Sequence, residues 1–118
     1  MPQRFSQLTP ARQALVRILQ AVNFGEIRGV RVQDANPIFE PDTVVVIDAK
    51  LDKEDDTRAE FQLADFELRV EVCRLMRRLD QLKNGTIERL EVSGGIPRRV
   101  VLESRWPGAI GNATGATE

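Results

Sequence analysis

Leu19-Gln20-Ala21-Val22-Asn23-Phe24-Gly25-Glu26-Ile27-Arg28-Gly29-Val30-Arg31-Val32 passes from a helical to a strand-like pattern. Sixty positions on, Leu79-Asp80-Gln81-Leu82-Lys83-Asn84-Gly85-Thr86-Ile87-Glu88-Arg89-Leu90-Glu91-Val92 makes the same passage. Leu19 and Leu79, Gly25 and Gly85, Ile27 and Ile87, and Val32 and Val92 are identical at that one offset. The match runs without a gap from Leu8 with Leu68, through Leu15 with Leu75 and Arg17 with Arg77, to Pro37 with Pro97. The pairs Val16 and Met76, Val22 and Leu82, and Val30 and Leu90 are similar. Beyond the turn the offset shortens, and Pro41, Val44 and Val45 meet Pro97, Val100 and Val101, so the first turn is the longer one. Any two amphipathic helices share apolar positions by pattern alone. A glycine, an isoleucine and a proline shared at one offset point to a repeated structural unit.

Outward from this stretch, Thr9-Pro10 is a helix start, because threonine caps well and proline at the first position forfeits no hydrogen bond. Ala11, Leu15, Ile18, Leu19 and Val22 make one apolar stripe. Gly25 is expected to close that helix in a left-handed conformation. Ile27, Val30 and Val32 then read as a half-buried strand, Asp34-Ala35-Asn36-Pro37 as a turn, and the β-branched run Val44-Val45-Val46-Ile47 as a more buried strand. Asp65 is the expected cap of the second helix, whose stripe is Leu68, Val72, Leu75, Leu79 and Leu82. Ile87, Leu90 and Val92 form the next strand, Ser93-Gly94-Gly95-Ile96-Pro97 a turn, and Val100-Val101-Leu102 the last strand.

One helix with one hairpin cannot bury its apolar face alone, whereas two such units can cover each other. The predicted fold is α+β, a duplicated αββ unit (αββ-αββ) with about four antiparallel strands and two helices on one face. A pseudo-two-fold axis relates the units, as in a homodimer fused into one chain. Residues 1–106 are read as a single domain whose repeats span about 8–48 and 65–105. Residues 49–64, centred on Asp52-Lys53-Glu54-Asp55-Asp56, are the acidic linker. It reads as a solvated loop, not a calcium loop, since Lys53 interrupts the run and the glycine of the EF-hand pattern is missing. Trp106 is expected to cover the open end of the sheet, and residues 107–118 to be a disordered tail. The string from Ile18 to Ile27, followed by an alternating strand, resembles small uncharacterised bacterial proteins built of a helix, a "YG-S-V"-like turn and a hairpin. The resemblance covers about half the chain; the second copy has Asn84-Gly85 where the aromatic-glycine pair would stand. It implies the fold and a bacterial origin, and that family brings no activity with it.

Composition narrows the chemistry. The chain has 118 residues, 42% hydrophobic and 30% charged, with a net charge of −1. That is globular composition without the basic excess of a dedicated nucleic-acid binder. No run is long enough for a membrane helix, the first residues lack the apolar core of a signal peptide, and the expected location is the cytoplasm. Cys73, the single cysteine, reads as a small buried hydrophobe. With no histidine and no tyrosine, the commonest general base, the commonest metal ligand and the Ser-His and Cys-His nucleophile arrangements are absent. No dinucleotide or phosphate-loop glycine motif occurs, so no enzyme activity, catalytic residue, metal or cofactor is expected.

What remains is binding. Pro37-Ile38-Phe39-Glu40-Pro41 presents Ile38 and Phe39 between two prolines, a candidate contact for a protein partner. Hairpin units also leave strand edges free for pairing. The leading expectation is a non-catalytic protein–protein interaction or assembly module of bacterial or phage origin, self-associating or dimeric. The alternative is a nucleic-acid-associated accessory protein. Arg74, Arg77 and Arg78 on the second helix and Arg98 and Arg99 at the tip of the second hairpin would supply phosphate contacts, joined by Arg12 and Arg17 on the first helix. Glu71 beside Arg74 and Arg78, and Asp80 beside Lys83, are expected to pair along the helix surface.

Overall fold

The computed structural model describes residues 3–52 and 63–104. The centre of the acidic linker, Trp106 and the tail 107–118 lie outside the described residues. The chain runs through a 3-10 turn at Phe5–Gln7, α1 (Pro10–Val22), β1 (Phe24–Gln33), β2 (Asn36–Ile38), β3 (Val44–Ile47), α2 (Val70–Leu82), β4 (Gly85–Ser93) and β5 (Ile96–Glu103). The fold is α+β, and the described strands form one five-stranded antiparallel sheet in which β2, β1, β4 and β5 are neighbours in that order and β3 also pairs β1.

The expected fourth strand count becomes five because the partner of β1 is broken. Asn36–Ile38 pairs with Arg31–Gln33, and Val44–Ile47 pairs with Gly25–Arg28. Between them Phe39–Thr43 leaves the ladder, closed by the Thr43 N–H to the Glu40 carbonyl at 2.9 Å. In the second half the partner of β4 is one strand, β5.

The middle of the sheet is the β1–β4 ladder, with Ile27 opposite Leu90 and Val30 opposite Ile87. All four side chains are fully buried. In a regular strand, residues three apart face opposite sides. Here Arg28 and Gly29 are both exposed between Ile27 and Val30, and Gly29 has a positive φ of 75° while the register with β4 stays the same on either side of it. That break in the extended conformation turns both flanking apolar residues to the same side. They join Leu15, Val16, Leu19 and Val22 of α1 and Val72, Leu75, Met76, Leu79 and Leu82 of α2 in a single core cluster. Each such side chain, removed from water, contributes roughly 1.5–3 kcal/mol.

The helix ends differ from the sequence expectation. Thr9 caps α1 through the Arg12 N–H at 3.3 Å, with Pro10 at the first helical position. The residues that close the helices with positive φ are Asn23 (65°) and Lys83 (63°), not the glycines. Gly25 is required for another reason: a Cβ there would lie 1.9 Å from the Val46 carbonyl oxygen of the neighbouring strand. A Cβ on Gly85 would meet the Glu103 carbonyl oxygen at 2.4 Å. Both glycines therefore serve close strand approach.

Asp65 does not start α2, which begins at Val70 with Arg69 before it. Its carboxylate accepts the Ser6 N–H at 2.8 Å and Arg4 Nε at 2.9 Å, fastening the N-terminal turn. The two segments also share backbone bonds from the Phe5 N–H to the Phe66 carbonyl and from the Leu68 N–H to the Gln3 carbonyl. The Phe5 and Phe66 rings stack at 5.0 Å, with the Arg17 guanidinium 4.3 Å above Phe5. The bond from Arg4, helped by that from the Ser6 N–H, lowers the Asp65 pKa from 3.8 to about 2. Because the folded pKa is depressed, this contribution is present above pH 3.8 and is lost as the pH falls through about 2. Asp65→Ala is therefore expected to flatten the acid limb: the stability gap between wild type and variant, measured by urea unfolding, closes as the pH is lowered across that window.

Both hairpins use two-residue turns in which both residues have positive φ, Asp34-Ala35 (52°, 64°) and Gly94-Gly95 (65°, 75°). This is the type I′ geometry that suits the twist of paired strands. Glycine adopts it freely, but alanine in the left-handed region is strained. Ala35→Gly should raise the unfolding free energy by up to about 1 kcal/mol, and Gly94→Ala should lower it by a similar amount, read from denaturant midpoints.

Candidate functional site

Four of the five arginines picked out from the sequence converge. Arg74 and Arg78 from α2 and Arg98 and Arg99 from β5 line one open cavity of about 190 Å³, together with Glu71. Its apolar lining is Leu75, Leu90, Pro97 and Val100. The helical residues 71, 74, 75 and 78 recur at the three- and four-residue spacing that puts them on one side of α2. The turn at Gly94-Gly95 is shorter than expected, so Arg98 and Arg99 sit within β5 and not at the hairpin tip. There the register slips: Val92 is opposite Pro97 but Glu91 is opposite Arg99, leaving Arg98 as the extra residue of a bulge. Such an irregularity lets two consecutive side chains reach one cavity. Arg77 is exposed and does not line it.

The carboxylate in the lining, Glu71, was expected to pair along its own helix, and its partner is different. Glu71 is paired with Arg98 at 3.4 Å, not with Arg74 or Arg78 on its own helix. Its other oxygen, Oε1, is shielded from solvent and accepts no hydrogen bond. Arg78 Nη1 donates to the neutral Gln81 Oε1 at 3.4 Å. Among the described residues, neither Arg74 nor Arg99 meets a carboxylate.

The remaining expected basic groups are occupied elsewhere. Arg12 is buried, and donates to the Ala35 carbonyl at 2.8 and 3.2 Å and to Asp80. Asp80 thus pairs across from α2 to α1, not with Lys83. A buried guanidinium needs such partners to offset its lost hydration. Arg17 stacks on Phe5 and donates to Gln20 and to the Leu63 carbonyl.

At the other edge of the sheet the expected burial of Val44–Ile47 is reversed. Val44, Val45 and Ile47 are 46%, 44% and 60% exposed. β3 lies outside β1 and pairs with nothing beyond it among the described residues. Ile38 is half-buried in β2 opposite Arg31, and Phe39 is half-buried with its side chain packed against the core. Cys73 is half-buried.

Among the described residues no group of three or more His, Cys, Asp or Glu is placed to hold a metal ion, and no helix is long and apolar enough to cross a membrane. No protein-family model, curated protein or solved structure matches the chain.

Proposed function

We propose that the protein is a non-catalytic assembly module that associates through the free edge of β3, and that its first partner is a second copy of itself. The observation that carries this reading is the exposure of Val44, Val45 and Ile47 on a strand whose outer edge has no partner among the described residues. Apolar edge strands without a charge, proline or bulge are templates for further pairing.

The backbone chemistry supports it. The Asp48 N–H donates to the Phe24 carbonyl at 2.8 Å, so the polar groups of Asp48, Val46 and Val44 point toward β1. By alternation those of Val45 and Ile47 point outward. Two copies of β3 paired antiparallel about Val46 would place Val45 opposite Ile47 and join them by paired hydrogen bonds. The same register would set Asp42 opposite Lys50 at both ends. Centring on Val45 would instead oppose Asp42 to Asp48, which like charge disfavours. One short strand pair is a small interface, so the association is concentration dependent.

The internal repeat supports the same reading. Each of the two helix-and-hairpin units contributes its helix to one face of the sheet, and the axis between β1 and β4 relates them. Such a unit combines by pairing strands, and β3 offers one more strand for the same purpose.

Light scattering on the full chain over a concentration series tests this. The wild type should approach twice the chain mass of 13.3 kDa at high concentration. Val45→Pro removes an outward N–H without touching the β1 ladder, and Ile47→Lys adds charge to an exposed position. Both should remain folded by circular dichroism and run as monomers. A wild type that stays monomeric at millimolar concentration, or a dimer that both variants preserve, refutes the reading.

A further inference from the structure

We infer that the cleft between α2 and β5 binds a small phosphate ester that carries a hydroxyl or amine close to its phosphate. Four arginines and one glutamate line it, so the cleft carries excess positive charge beside an apolar wall. Guanidinium donors match phosphate oxygens in pairs, and Arg74 and Arg99 spend no charge on a described carboxylate.

Glu71 gives the second part of the ligand. A shielded carboxylate oxygen without a donor is costly, and such groups are rare in folded proteins. Glu71 Oε1 is one, and Glu71 lines the cleft. A small rotation of the Glu71 carboxylate into the cleft would let a ligand hydroxyl or amine satisfy it while the phosphate engages the arginines. Leu75, Leu90, Pro97 and Val100 would contact the carbon skeleton.

The first half of the chain shows that folding does not demand this charge. Sixty positions before Glu71, Arg74 and Arg78 stand Ala11, Ala14 and Ile18. Ile18 packs against the core. Equivalent positions thus fill with apolar side chains in one half and carry arginine and glutamate in the other. The volume of about 190 Å³ suits a small ester better than a polymer backbone, which would also bring its charges against Glu71.

The test is NMR titration of the full chain with inorganic phosphate, methyl phosphate, glycerol 1-phosphate and a single-stranded oligonucleotide. Glycerol 1-phosphate should bind saturably at one site, shifting the amides of Glu71–Arg78 and Pro97–Val100, and more tightly than methyl phosphate. The double variant Arg74→Gln, Arg99→Gln, at exposed positions, should weaken both esters at least about tenfold. Glu71→Ala should erase the preference for glycerol 1-phosphate while methyl phosphate still binds. No saturable shift with any ester, or binding that the double variant leaves intact, overturns the inference. So does tight, salt-sensitive oligonucleotide binding without a saturable ester site, which would give the arginines to nucleic acid.

Discussion

The pairing of β1 with β4 is the constraint on which the other elements depend. It joins segments far apart in sequence, and beside Gly29, whose φ is 75°, Ile27, Val30, Ile87 and Leu90 all reach the same core. A strand of unbroken extended conformation, without the positive φ of Gly29, would send Ile27 and Val30 to opposite faces, and one helix would lose its apolar floor. The outer strands inherit their positions from this pair. Gly25 and Gly85 lack side chains because the neighbouring carbonyls of Val46 and Glu103 approach where a Cβ would stand. The helices then close over the buried side with stripes that meet Ile27, Val30, Ile87 and Leu90 in one cluster. Arg12 adds a polar tie, reaching from α1 to the Asp34-Ala35 turn and to Asp80 on α2.

Around this centre the two outer edges differ. Beside β1 the ladder breaks at Phe39–Thr43, Phe39 turns onto the core, and β3 continues as a short apolar strand with no strand beyond it among the described residues. Beside β4 the strand stays whole but slips at Arg98, and the residues of α2 that face it are charged. A strand edge offers backbone hydrogen bonds and apolar contact, which suits another polypeptide. A concave arginine pocket with one unsatisfied carboxylate oxygen suits a small anionic molecule. The two proposed activities therefore rest on opposite edges and on different chemistry.

Much of the arrangement was legible from residue spacing, because 3.6-residue and two-residue periods report which side chains must be buried together. The stripes through Leu15 and Leu19 and through Leu75 and Leu79, and the strands through Ile27 and Ile87, appear where the periodicity puts them. Arg74, Arg78, Arg98 and Arg99 were expected on one face, and they line one cavity, but the pairing of Glu71 with Arg98 was not legible, since it depends on a bulge in β5 that spacing does not reveal. Val44–Ile47 misled because β-branched runs signal strands without saying what covers them. Arg12 misled for the opposite reason: its burial depends on the Ala35 carbonyl and on Asp80, partners remote in sequence. Asp65 had the right chemistry for a cap and the wrong helix, since the amide it takes belongs to Ser6.

Amide hydrogen exchange on the full chain, followed residue by residue across a dilution series, tests the central claim most directly: a ladder fixed between β1 and β4 and an open edge on β3. The account predicts that the paired amides of β1 and β4 exchange slowest at every concentration. It also predicts that the amides of Val45 and Ile47 are protected in concentrated solution and exchange rapidly on dilution. Early exchange along β1 and β4, or rapid exchange at Val45 and Ile47 at every concentration, would contradict it.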